Sequence, residues 1–146
     1  MARSRLSRGA QSSVPDVEEI ASECVGWTYQ HHGRQPGLVD CFGLFLYIAN
    51  KMGFDVPDYD YSEDWRGEDH FGLNYWKYAD PIAEKDVQPG DVILLRMSGA
   101  HISHIGIVLR NGRFIHCTKA GATISRYTSA AFNRRIEMFC RLKNTT

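Results

Sequence analysis

The sequence predicts an α+β domain, with helices first and an antiparallel sheet after them, on three observations. Apolar positions recur at helical spacing only in the early part of the chain, between Asp16 and Met52. Beyond Pro89-Gly90-Asp91 the pattern changes to short runs rich in branched and aromatic residues, VILLRM, HIGIVL, RFIHCT and RIEMFCRL, parted by turn residues. Strands and helices do not alternate, which sets a doubly wound parallel sheet aside.

Residues 1–15 hold Arg3, Arg5 and Arg8 among Ser, Gly and Ala and end at Pro15. They offer too little apolar surface to fold alone and read as a flexible basic arm, with 16–146 as one domain. From Asp16, the positions Val17, Ile20, Ala21, Cys24 and Thr28 mark a first helix, with Asp16 or Ser13 as its cap. The segment from Gly33 to Val39 carries Pro36 and Gly37 and reads as a loop. Asp40 then precedes CFGLFLYIANKM, an apolar run too long for an ordinary strand, so a second helix starts at or beside Cys41 and stops at Gly53. The following FDVPDYDYSEDWRGEDHFG has little periodicity and reads as an irregular acidic insertion with a solvated face. Its Asp58 and Asp60 lack the Gly and terminal Glu of a calcium loop.

Composition narrows the function. Apolar residues make up 43% and charged residues 23%, ordinary globular usage that indicates neither disorder nor a disulfide scaffold. Seventeen basic residues balance 17 acidic ones, which argues against nucleic acid as the main partner, since that binding needs a basic excess. No stretch approaches the roughly 20 apolar residues that span a bilayer, so no membrane insertion is expected. The start, MARSRLSRGAQSSVPD, lacks the apolar core of a signal peptide, and the expectation is a chain not exported by the usual route. The cysteines at 24, 41, 117 and 140 have no zinc spacing, and His31, His32 and His70 fall in loop-like segments without a ligand set. No metal and no cofactor are expected.

Cys41 sits in the first turn of a buried helix, where unpaired backbone N–H groups and the helix dipole favour a thiolate. A lone cysteine is more often a small buried hydrophobe. The histidines alter that balance, because His104 and His116 bracket the hairpin at Asn111-Gly112. A two-residue turn would point them to opposite faces of the sheet. A three-residue loop, Arg110-Asn111-Gly112 with Gly112 left-handed, sets residue 106 against 116 and makes the histidines diagonal neighbours on one face. The bulged loop is predicted, with His104, Gly106, Val108, Phe114, His116 and Thr118 forming a face expected to receive helix two. His104 would then be the base for Cys41 and His116 the group that orients it. His101 is a weaker candidate base, since it follows Ser98-Gly99-Ala100 in a loop.

The segments GWTYQHH, VDCFGLFLYI, QPGDVILLRM and SHIGIVLRNGRFIHC, in that chain order, resemble the signatures of the NlpC family of cell-wall cysteine peptidases over roughly residues 17–142. The phage-associated branch is the most similar, through its Gly-x-x-Tyr-x-His segment and its Pro-Gly-Asp-Val run. The resemblance implies a papain-like fold, a Cys41-His104-His116 triad, and cleavage of amide bonds in peptidoglycan stem peptides. It also implies that Tyr29 assists the oxyanion and that Asp40 contacts a substrate amine, although capping helix two accounts for Asp40 equally. Phe42 stands where many relatives have serine, and Val39 where the phage branch often has cysteine or an aromatic residue. The expected setting is a virion tail, with hub or tip proteins as partners and a role in genome entry. The alternatives are a structural tail component that leaves the site unused, and an amidase or acyltransferase of non-wall substrates.

Overall fold

The computed structural model describes residues 16–58, 78–97 and 102–143. The basic arm, most of the acidic insertion, His70 and His101 lie outside the described residues.

Helix α1, Val17–Cys24, follows an extended Asp16 that makes no side-chain capping bond. Val17, Ile20, Ala21 and Cys24 are all buried, the stripe that their spacing predicts. The helix stops short of Thr28 because Gly26 turns the chain with φ 92° and donates its N–H to the Ala122 carbonyl at 2.9 Å. Thr28–Tyr29 is instead a strand, β1, so Thr28 is no part of the helix. The segment expected to be a plain loop carries two further short strands, β2 at Arg34–Gln35 and β3 at Leu38–Val39. Strand β3 is central, parallel to β1 and antiparallel to β2. Two-residue strands leave no periodicity in a sequence, and pairing alone defines them.

Helix α2, Cys41–Lys51, starts where expected, with Asp40 Oδ1 accepting from the Gly43 N–H at 2.8 Å. Gly53, at φ 97°, follows its end. Eight of its 11 residues are buried, so α2 is covered on almost every side.

The main sheet has six strands: β4 Ala79–Ile82, β5 Val92–Leu95, β6 His104–Leu109, β7 Arg113–Thr118, β8 Gly121–Arg126 and β9 Ile136–Leu142. Their spatial order is β4-β9-β5-β6-β7-β8 and every neighbouring pair is antiparallel. The four strands expected from the sequence are present, and β4 and β8 join them at the two edges. Pro81 confines β4 to an edge, since it has no N–H to give to a second neighbour. A short helix α3, Ala130–Asn133, precedes β9.

One expectation is corrected. Helix α2 packs on the face of β6 and β7 that carries Ile105, Ile107, Leu109, Ile115 and Cys117, not on the face of His104 and His116. The histidine face, with Val108 and Phe114, forms a second core with Ile93, Leu95 and Phe139, against which Tyr127 and Phe132 pack. A helix bearing Leu44, Phe45, Leu46 and Ile48 removes more apolar area from water against the aliphatic face than against two imidazoles.

Candidate active site

The hairpin pairs Leu109 with Arg113, Val108 with Phe114 and Ile107 with Ile115, the register of a three-residue connection, as expected. Its conformation differs in detail. Asn111 and Gly112 are both left-handed, at φ 63° and 70°, like a primed two-residue turn. Arg110 is the extra residue, and its N–H goes to Glu18 Oε2 of α1 at 2.7 Å. Arg113 Nη2 binds the same carboxylate at 2.8 Å, so helix one braces the loop that sets the register.

That register brings His104 Nε2 to 2.7 Å from His116 Nδ1. Both rings are buried, His116 to 1% exposure. Phe114 lies along the His116 ring at a centroid distance of 4.3 Å, and Phe132 of α3 meets it edge-on at 5.3 Å. Its second nitrogen, Nε2, is 2.9 Å from Ser125 Oγ on β8. Burial among these rings lowers its pKa from 6.5 to about 4, so His116 is a neutral imidazole at neutral pH. Gly106 makes room for the pair, because a Cβ there would stand 2.8 Å from Phe114 Cδ2 and 3.3 Å from His116 Cβ.

His104, the first residue of β6, lines a cavity of about 160 Å³ with Tyr29 of β1 and Cys41 of α2. Although α2 lies on the other face of the sheet, its N-terminus reaches the end of the sheet where β6 begins. Three of the residues expected to act together therefore share one cavity, and the fourth, His116, is bonded to His104. Since His116 engages Nε2 of His104, Nδ1 is the nitrogen that a thiol partner would use. Cys117, Thr118 and Lys119 complete the side of the cavity at the end of β7.

Asp40 adjoins this group, next to Cys41 in the chain and close enough to Cys117 to add to the rise in pKa that burial causes there. It is 1% exposed and does not line the cavity. Its Oδ1 accepts from the Gly43 N–H and from Arg34 Nη1 at 3.1 Å, and its Oδ2 accepts from the His32 N–H at 2.9 Å. The structure gives it the work of a helix cap that also clamps the 30–34 turn. His31 and His32 lie ring against ring at 3.9 Å and do not line the cavity.

The other thiols are held protonated. Burial raises Cys24 and Cys140 to about 12 and Cys117 to about 11. The sequence reading passed over Ser125, although counting in twos along β8 from a tight Lys119-Ala120 turn places it diagonally beside His116.

A six-stranded antiparallel sheet, a buried helix with cysteine in its first turn, and paired histidines at the end of the sheet define a papain-like α+β protein. Residues 26–141 match the model of the NlpC/P60 family, and the chain belongs to that family. A probable endopeptidase of Mycobacterium tuberculosis is 28% identical over 116 residues, covering 80% of this chain and 26% of its own. The chain thus spans about a quarter of that relative. A solved NLP/P60 family protein of Staphylococcus aureus shares the fold at TM-score 0.68 and 20% identity, over 88% of this chain and 41% of the other. The peptidoglycan hydrolase RipB of Mycobacterium tuberculosis does so at TM-score 0.58 and 18% identity, over 86% and 61%.

Proposed function

We propose that this chain is a cysteine peptidase that hydrolyses amide bonds in peptidoglycan stem peptides. The observation that carries the proposal is the cavity shared by Cys41 and His104, with His104 bonded to His116 at 2.7 Å behind it. His104 Nδ1 takes the thiol proton, and the Cys41 thiolate attacks the amide carbon. The backbone N–H of Cys41 at the start of α2, with the Tyr29 hydroxyl, receives the negative charge on the carbonyl oxygen. His104 then returns the proton to the leaving amine, which departs as a thioester forms on Cys41. Water, deprotonated by the same imidazole, hydrolyses that thioester and restores the thiol. His116 stays neutral throughout and accepts the His104 Nε2 proton in a hydrogen bond, which fixes the ring.

The substrate class is supported by the family and by the naming of one fold relative as a peptidoglycan hydrolase and of one sequence relative as a probable endopeptidase. Purified sacculi incubated with the protein should release fragments with new stem-peptide ends, and a Cys41→Ala protein should release none. Intact sacculi after incubation with the folded wild-type protein would sink the reading. The similarity of GWTYQHH and QPGDV to the phage-associated branch supports a place in a virion tail, against hub or tip proteins, where the enzyme would open the wall for genome entry. The protein should then be recovered in purified particles, and its exclusion from them would overturn that placement.

A further inference from the structure

We infer that Ser125 is a positioning residue of the site, which holds His116 in the one neutral tautomer that lets His104 take a proton from Cys41. This rests on the proposed peptidase chemistry. Ser125 lies on β8 opposite Phe114, one diagonal step from His116, and its Oγ is 2.9 Å from His116 Nε2. Among the described residues, the groups seen against the His116 ring are His104, Phe114, Phe132 and Ser125, and none of these is a carboxylate.

A neutral imidazole carries one N–H, and His116 has two polar neighbours to satisfy with it. With the proton on Nε2, His116 donates to Ser125 Oγ and offers the Nδ1 lone pair to His104. His104 then carries its own proton on Nε2, so its Nδ1 is bare and can accept the thiol proton. With the proton on Nδ1 the chain of bonds reverses. His116 donates to His104 Nε2, His104 must carry its proton on Nδ1, and that nitrogen has no lone pair for Cys41. The wrong tautomer of a buried ring two positions from the thiol therefore disables the base.

Ser125 makes the Nε2–H state available, because its oxygen accepts from that N–H. Without it, a buried N–H between two phenyl rings is left without an acceptor, and the ring turns to the disabling tautomer. The hydroxyl can rotate to donate instead, so the bias comes from the protonated state of His104. Once His104 is an imidazolium, both its nitrogens are donors, and only the Nε2–H form of His116 can accept from it.

Two measurements test this without any wall substrate. Long-range proton–nitrogen NMR of the imidazoles in the unmodified protein should show His116 as the Nε2–H tautomer, and the Nδ1–H tautomer would overturn the inference. Alkylation of Cys41 by iodoacetamide, followed from acid to alkaline pH, reads the thiolate–imidazolium pair. Ser125→Ala should lower the rate below the ordinary thiol range by about 10- to 100-fold, the scale of one buried unsatisfied group. Ser125→Thr, which keeps the hydroxyl, should restore it. An unchanged pH profile in Ser125→Ala would also overturn the inference. A protein with the expected tautomer and profile that leaves sacculi intact would refute the peptidase reading alone.

Discussion

Acidification should destabilise this protein through the buried side chain of His116. The ring is buried to 1% exposure between Phe114 and Phe132, and its pKa falls from 6.5 to about 4 when it is folded. The unfolded chain therefore binds a proton at pH values where the folded one does not. A group with a depressed folded pKa contributes its full stability above the unfolded pKa and loses it as pH falls through the folded value. The window here runs from about 6.5 down to about 4. The whole displacement corresponds to about 3 kcal/mol, of which about 2 kcal/mol is lost between about pH 7 and about pH 5. Urea unfolding under reducing conditions at those two values should show that loss. In His116→Gln, whose side chain does not titrate, the pH slope should flatten by the same amount, even though the variant starts from a lower stability. Parallel slopes for the two proteins would refute the assignment of a neutral, buried His116.

Three further outcomes follow from the geometry. Gly106→Ala should lower stability by about 1–3 kcal/mol in the same urea assay, since the new Cβ would meet the Ile115 carbonyl oxygen at 2.7 Å and Phe114 Cδ2 at 2.8 Å, and it should also lower wall digestion. Asp40→Ala should cost about 1–3 kcal/mol, because it removes the buried acceptor of the Gly43 N–H while Arg34 keeps its bridge to Asp58, whereas Asp40→Asn keeps an acceptor for Gly43 and should cost less. Iodoacetamide on the folded protein near neutral pH should give one adduct, on Cys41, by peptide mass mapping; adducts on Cys24, Cys117 or Cys140 would contradict their raised pKa values.

The sequence carried a good deal of this arrangement, for identifiable physical reasons. The apolar run CFGLFLYIA behind a capping aspartate can hardly be anything but a buried helix, which places Cys41 at its first turn. The hairpin register was legible because one turn residue more or less exchanges the faces, and only one choice put both histidines together. The layer that covers those histidines was not legible. Every residue of β6 is buried, so no polar alternation marks an outer face. Strand β8 was missed because Gly121, Ala122, Thr123 and Ser125 give little branched or aromatic signal, and with it went Ser125. Of the two roles that the sequence allows Asp40, burial together with Arg34 favours the cap.

The packing of α2 on the aliphatic face of the sheet bears on how the site works. If α2 lay across the histidine face, its apolar surface would bury His104 and His116 alike and close the space beside the thiol. With α2 on the opposite face, only its N-terminus reaches the end of the sheet, so Cys41 shares a cavity with the first residue of β6 while the helix body serves the core. The histidine face is left for Phe114 and the small helix α3, which seal His116 in an apolar setting and hold it neutral. His104 is at the boundary between the two environments, with a buried neutral partner on one nitrogen and the cavity on its other side. In the proposed chemistry, a base placed there gains and loses a proton while the ring behind it does not, and that asymmetry needs both faces of one sheet.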